Sequence, residues 1–449
     1  MHVISSCSFF SARRALAGAL AAIAIAAACP VEASRANASG APSDAVRGLT
    51  LDECIALARQ SSLGLRVAEN ALSSARLERK AQVATSYPQV HFGGAARTDP
   101  TFGRYGYDPI ITDFGEIDAQ IVAEQMLYGG GIFHLQLKQT KLDIENLGIA
   151  RKITERDVVF DVTQSFVEVL RAREEVALDR ESLAQLDDYL SVVQDLYRSG
   201  RVGYTDVLKT RIQLAAARTS LQSAIETFAL ARLELSQIVR GTADTTLVIA
   251  GSLDSMEVAR LDTAGSFGKS LESQSNAIGI ERTSLDVELA RHARYPTLSV
   301  FADAGLVTSL DPVNNLGRRF EYLGYSAGVS LQVPLLDWGQ AKYRADAQRF
   351  AFENARYEAE LFNRSQAREV RSISLQISNL ERRAGTLRRT TKDADDNYLL
   401  TKSKYMHGAA LALEVLDAQQ LVTDARLGEL QARADALKLS ARLEQILTR

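Results

Sequence analysis

An α+β membrane protein is the fold class this sequence predicts: four β-strands per chain given to an oligomeric β-barrel, continued by a long α-helical coiled-coil barrel. Three observations carry that prediction. The chain is one unit written twice. Two wide spans lack proline and step apolar residues at helical spacing, and four short segments beside them alternate apolar with polar residues.

The chain opens with Arg13 and Arg14, an apolar run from Ala15 to Ala28, and Val31-Glu32-Ala33. This is the three-part layout of a secretory signal peptide, assigned to residues 1–33. A short anchor helix is the alternative, but the run falls short of the ~20 residues that span a bilayer. Cys29 follows three alanines and offers lipidation as a second route, although Ala26 stands where a large aliphatic residue is usual. Cleavage after Ala33 leaves Cys54 without a partner for an intramolecular disulfide. Residues 34–48 read as an N-terminal linker. A net charge of −3 gives no basic footprint for nucleic acid. No later stretch is continuously apolar enough for a transmembrane helix, so a membrane protein built from this chain must use a β-barrel.

The repeat comes next. Tyr87-Pro88 recurs as Tyr295-Pro296, Leu127 and Gly131 as Leu335 and Gly339, and Tyr197 and Gly200 as Tyr405 and Gly408. Val207-Leu208 recurs as Val415-Leu416 and Ala217-Arg218 as Ala425-Arg426, each pair 208 residues apart. Residues 49–240 and 263–449 therefore share one element plan, joined by a linker of some strand character at 241–262.

Of the eight prolines, none falls in 110–295 or after 334, so long helices run there uninterrupted. Leu183, Leu186, Leu190, Val193 and Tyr197 step by 3 and 4, as do Leu214, Ala217, Leu221, Ala224, Phe228, Ala231, Leu235 and Ile238. The second half repeats the pattern from Val370 to Leu387 and from Leu427 to Ala441. These are heptad seams with many alanines, which permit close helix approach. A helix from Gly131 to Arg198 would reach roughly 100 Å at ~1.5 Å per residue.

Strand signals flank these spans. Tyr325, Ala327, Val329, Leu331 and Val333 alternate with Ser326, Gly328, Ser330 and Gln332. Leu298 to Leu306 and Ile117 to Glu124 alternate likewise, and Pro88–Arg97 is a weaker strand rich in Gly and Ala. Such alternation marks membrane barrels, with Val329 facing lipid and Ser330 the lumen; half-buried strands of a soluble sheet give the same pattern. Residues 98–116 and 307–321, rich in turn formers, read as surface loops. Four strands cannot close a barrel, since even small ones need about eight, so membrane insertion demands oligomerisation.

No convergent catalytic site emerges, and the chain reads as a non-enzyme without cofactor. The five histidines are scattered, so no metal site is expected. Gly268-Lys269-Ser270 imitates the end of a phosphate-binding loop, but Thr263 replaces the glycine that motif requires. Gly129-Gly130-Gly131 lacks dinucleotide-binding spacing and reads as a pivot between strand and helix. The candidate sites are the two helical turns. Gly200, Val202, Gly203, Val207 and Leu208 on one, and Gly408, Ala410, Val415 and Leu416 on the other, offer small and apolar groups for docking; ordinary turn chemistry is the alternative. Glu414 and Asp417, three residues apart, project from one helix face, and in a ring of subunits would form an acidic collar. Acids that simply favour a helix start are the competing explanation.

At these residues the sequence resembles the TolC outer-membrane efflux family, from about residue 49 to 445. Leu49-Thr50-Leu51-Asp52-Glu53-Cys54-Ile55-Ala56-Leu57-Ala58 is similar to the family's opening helix, and Val333-Pro334-Leu335-Leu336-Asp337-Trp338-Gly339 to its exit from the barrel. The resemblance implies an outer-membrane homotrimer with a 12-stranded barrel and a helical tube reaching into the periplasm. It implies a periplasmic adaptor docked on the hairpin tips and an inner-membrane transporter supplying energy, for drug or metal efflux or type I secretion. It also implies a gate: Tyr405 hydrogen-bonded to Asp206, with Glu414 and Asp417 as the acidic constriction. Ala410 occupies the family's position for a latch arginine, and Arg201 on the neighbouring tip is the candidate substitute. A periplasmic coiled-coil scaffold without a pore is the alternative function.

Overall fold

The computed structural model describes residues 48–98, 115–242, 244, 247–258, 270–309 and 321–448. The signal peptide, Cys29, most of the linker before residue 48, the centres of the two barrel loops and Gly268-Lys269 lie outside the described residues.

Two short helices open the chain, α1 (Leu51–Ser61) and α2 (Leu63–Ala84). Thr50 and Glu53 cap α1 reciprocally, each side chain bonding the other's backbone N–H, and Ser62 caps α2 through the N–H of Leu65. Strands β1 (Gln89–Thr98) and β2 (Gly115–Gly129) follow, then the long helix α3 (Ile132–Arg198) and its return α4 (Tyr204–Arg240). The second half repeats the order with α5 (Leu271–His292), β3 (Thr297–Ser309), β4 (Glu321–Gln332), α6 (Gln340–Met406) and α7 (Ala412–Leu447). Helices α3 and α6 each contain 67 residues.

Between barrel and helix the chain bends on matched left-handed residues. Gly131 and Gly339 take φ of 81° and 83°, preceded by Gly130 at 64° and Trp338 at 50°. A side chain at Gly130 would place its Cβ 2.8 Å from that of Tyr295, so glycine is required there by contact as well as by conformation. The second pivot is held differently. The Asp337 carboxylate accepts from the N–H groups of Gly339 (3.0 Å) and Ala341 (3.1 Å), bonds that hold its pKa below the usual carboxylate value.

The four strands form one antiparallel sheet in the order β1-β2-β3-β4. Its register gathers Val90 and Phe92, Ile121 and Ala123, Val300 and Ala302, and Ala327 and Val329 on one face. The opposite face carries His91, Gln120, Glu124, Asp303, Ser326 and Ser330. Strand β2 runs past the Ile117–Glu124 alternation to Gly129, because a register shift at Met126/Tyr128 breaks the alternation without ending the pairing.

Above and below their middle, the helices form a wall one layer deep. Beside the sheet the neighbours run α2, α3, α5, α6; toward the hairpin tips they run α4, α3, α7, α6. Midway, α1 and the 247–253 segment lie against α3, α4 and α7 around Cys54, Val162, Phe166, Leu235 and Leu253. Among the described residues of the linker, the expected strand character is one parallel bridge, Leu49 to Ile249. Alanines 434 and 436 are buried at the seams, as close helix approach requires.

The apolar sheet face yields a position-specific expectation. Val329 is 66 % exposed on that face, whereas Ser330 points to the polar side. Val329→Arg should cost about 2–4 kcal/mol near the bilayer midplane, and Ser330→Arg should be tolerated. The measurement is the yield of assembled oligomer on semi-native gels, and equal losses would refute the facing.

Candidate functional site

The two hairpin turns are built alike. Helix α3 ends at Arg198 and α6 at Met406; Gly200 and Gly408, with φ of 75° and 74°, reverse the chain. The N–H groups of Arg201 and Ala409 return to the carbonyls of Leu196 and Lys404, at 2.9 and 2.8 Å, closing each helix end. Gly203 and Leu411 then cap the returning helices in extended conformation, with ψ of 156° and 152°. One ion pair between the arms of each hairpin also recurs at the 208-residue spacing: Arg218–Asp187 at 4.0 Å and Arg426–Asp395 at 2.9 Å.

Beneath the turns lies a shared core of Leu186, Tyr189, Val193, Val207, Leu214, Tyr398, Tyr405, Val415, Leu416 and Val422. Three residues expected to offer docking surface, Val207, Val415 and Leu416, are therefore buried within the protomer. The cause is helical phase: they fall on the inward faces of α4 and α7. Val202 and Ala410 are half-buried against the same core, which leaves Gly200, Gly203, Gly408 and Leu208 exposed. The tip surface also includes the exposed side chains of Tyr204, Met406, Leu411 and Leu413. Tyr197, expected on a seam, is 44 % exposed and its ring sits 5.6 Å from that of Tyr204. Its counterpart Tyr405 is 4 % exposed. The signal that separates them is the partner: Tyr405 packs on Tyr189 with centroids 5.5 Å apart, whereas the residue 208 positions after Tyr189 is Asn397.

The gate residues are brought together only in part. Glu414 and Asp417 are both exposed on one face of the first turns of α7. Asp206 lies in the first turn of α4, close enough that its charge, after burial, pushes the Tyr405 phenol up. The expected Tyr405–Asp206 hydrogen bond is not made. Among the described residues the Tyr405 hydroxyl is buried with no hydrogen-bond partner of normal geometry, because its ring is turned into the core against Tyr189. What links the two tips is Arg201, whose Nη2 donates to the carbonyl of Met406 at 3.1 Å, and Tyr189, whose hydroxyl donates to the carbonyl of Ala412 at 3.4 Å. Among the described residues no cluster could hold a metal ion.

An unpartnered hydroxyl makes a sharp stability test. Tyr405→Phe should leave thermal unfolding unchanged or raise stability by up to about 1 kcal/mol, since no bond is lost. A clear drop in the melting temperature of the intact oligomer would mean that the hydroxyl has a partner after all.

Comparison with known proteins places these features. A family model described as outer membrane efflux protein matches residues 54–239 and 272–449. The outer membrane protein TolC of Vibrio cholerae is 23 % identical over 305 residues, covering 66 % of this chain and 68 % of that protein. The alkaline protease secretion protein AprF of Pseudomonas aeruginosa is 23 % identical over 297 residues, 64 % of this chain and 60 % of that protein. Among solved structures the transmembrane channel CusC superposes with a TM-score of 0.76 at 16 % identity, over 88 % of this chain and 91 % of that one. The fold is that of one protomer of a trimeric barrel, and its apolar sheet face accounts for the membrane. The chain belongs to the outer membrane efflux protein family and is an outer-membrane channel subunit whose helices extend into the periplasm.

Proposed function

We propose that this chain, after loss of residues 1–33, assembles as a homotrimer whose duct receives substrate from an inner-membrane transporter through a periplasmic adaptor seated on the hairpin tips. The two repeats, 49–240 and 263–449, each supply one barrel hairpin and one helical hairpin to that duct. The observation that carries the reading is the state of the protomer's edges. Strands β1 and β4 each have one unpaired side. The edge helix α6 exposes Tyr343, Phe350 and Tyr357 at seven-residue spacing, and the opposite edge exposes Leu77 on α2 and Ile212 and Leu230 on α4. A heptad stripe of aromatics on one edge and exposed aliphatic residues on the other suit closure by further copies of the same chain.

Glu414 and Asp417, repeated around the ring, would concentrate negative potential at the periplasmic mouth. Asp206 and Tyr405 would then set how tightly the hairpins pack rather than close a bond across them. Tip docking is best tested at Gly203. Its φ of −79° suits any residue and nothing lies within 4 Å of an added Cβ, whereas Gly408 would be strained by any side chain.

Gly203→Trp should preserve trimer assembly and abolish export, and cross-linkers placed at Tyr204 or Leu411 should capture the adaptor. Export at the unsubstituted rate would refute docking at this turn. Separately, Glu414→Ala with Asp417→Ala should lower the cation preference of the pore several-fold in planar bilayers, roughly as removal of a ring of acids predicts. Unchanged ion selectivity would reduce the two acids to helix-start charges.

A further inference from the structure

Helix α2 reaches the barrel carrying three cations in its last nine residues. Lys80 and Arg76 lie four and eight residues before its last residue, Ala84, so they sit roughly 6–12 Å along the axis from the helix end. With Arg79 they rim a cavity of about 410 Å³ whose floor is Val83 and, from α3, Ile144. In the single protomer all three side chains are exposed, and none makes an ion pair or hydrogen bond with another described residue. The nearest acid in sequence, Glu78, instead accepts from the Ser74 hydroxyl at 3.2 Å. Arg76 and Lys80 are one turn apart on the same face, a like-charge spacing that disfavours the helix unless a counter-ion joins them.

The level of this cavity is set independently. Tyr87, between α2 and β1, is 63 % exposed, and at the same end of the barrel Tyr295 and Trp338 are exposed too. Exposed Trp and Tyr at the rim of a membrane barrel mark the headgroup zone. Arginine and lysine stems extend along apolar surface while their charged ends reach the interface. A phosphodiester there would accept paired N–H bonds from an arginine and a point contact from the lysine. Val83 and Ile144 would meet the glycerol and the start of the acyl chains.

We propose that the groove between α2 and α3, rimmed by Arg76, Arg79 and Lys80, binds the phosphate headgroup of an anionic phospholipid in the periplasm-facing leaflet. The site stands on the barrel's place in the membrane and is independent of docking at the tips. It gives each protomer a specific lipid contact beneath the non-specific apolar band of the sheet.

The test uses the full processed chain, assembled and purified in detergent, then mixed with equal phosphatidylglycerol and phosphatidylcholine and examined by native mass spectrometry. Phosphatidylglycerol should be retained about tenfold over phosphatidylcholine, as a cluster of cations at a headgroup level predicts. Combining Arg76→Gln, Arg79→Gln and Lys80→Gln should remove the preference, while Arg76→Lys with Arg79→Lys should keep it. If the neutral variant does not assemble, the unsubstituted chain decides alone: phosphatidylglycerol must be preferred and must resist displacement by millimolar inorganic phosphate. Equal retention of the two lipids, or a preference unchanged by neutralising the three cations, would overturn the proposal. Displacement by inorganic phosphate would also overturn it, leaving a free-anion site.

Discussion

A backbone in hydrocarbon must satisfy its own hydrogen bonds, and most of this structure answers to that constraint. Four antiparallel strands satisfy one another internally but leave the outer sides of β1 and β4 open. In water such edges are managed by charge, proline or distortion; in lipid they must be closed. Closure by further protomers then dictates what the helices do, because each strand pair continues into helices that inherit its position around the ring. The unburied apolar stripe on α6 is the same requirement carried into the periplasmic part. A protomer that kept this surface to itself would have no reason to place tyrosine and phenylalanine there.

Much of the architecture could be read from residues alone because it rests on periodicity, and periodicity survives in a single sequence. The absence of proline over 110–295 fits an unbroken α3, and the 208-residue offset fits the pairing of α3 with α6. Alternation located the strands, though the end of β2 was hidden behind a bulge that sequence does not mark. The tips were legible only in outline. Glycine positions fixed where the chain turns, but whether Val207 or Val415 faces outward depends on helix phase relative to a neighbouring hairpin, which is tertiary information. Tyr197 and Tyr405 make the point directly, since they occupy equivalent places in the repeat and differ in burial for want of a second Tyr189.

The tip core also qualifies a gate carried over by resemblance. Tyr405 and Asp206 are neighbours, yet packing against the Tyr189 ring holds the phenol away from a bond to the Asp206 carboxylate. Arg201 supplies a cross-tip contact to the backbone carbonyl of Met406, an acceptor that every residue type provides. Residue identity at a family position therefore says less here than the arrangement of groups around it. The half-buried Ala410 fills a place where a long charged side chain would have to leave the core.

The equal lengths of α3 and α6 make the chain a ruler with two matched arms. Adding one residue to one arm would advance its turn by about 1.5 Å and rotate it by roughly 100°, unseating every seam contact below the insertion. Length can change without that disorder only in both arms together and in steps near seven residues, each roughly 10.5 Å. The distance spanned between the membrane and the turns is thus quantised by the heptad, and a gap of different width would have to be met by whatever approaches from the other side.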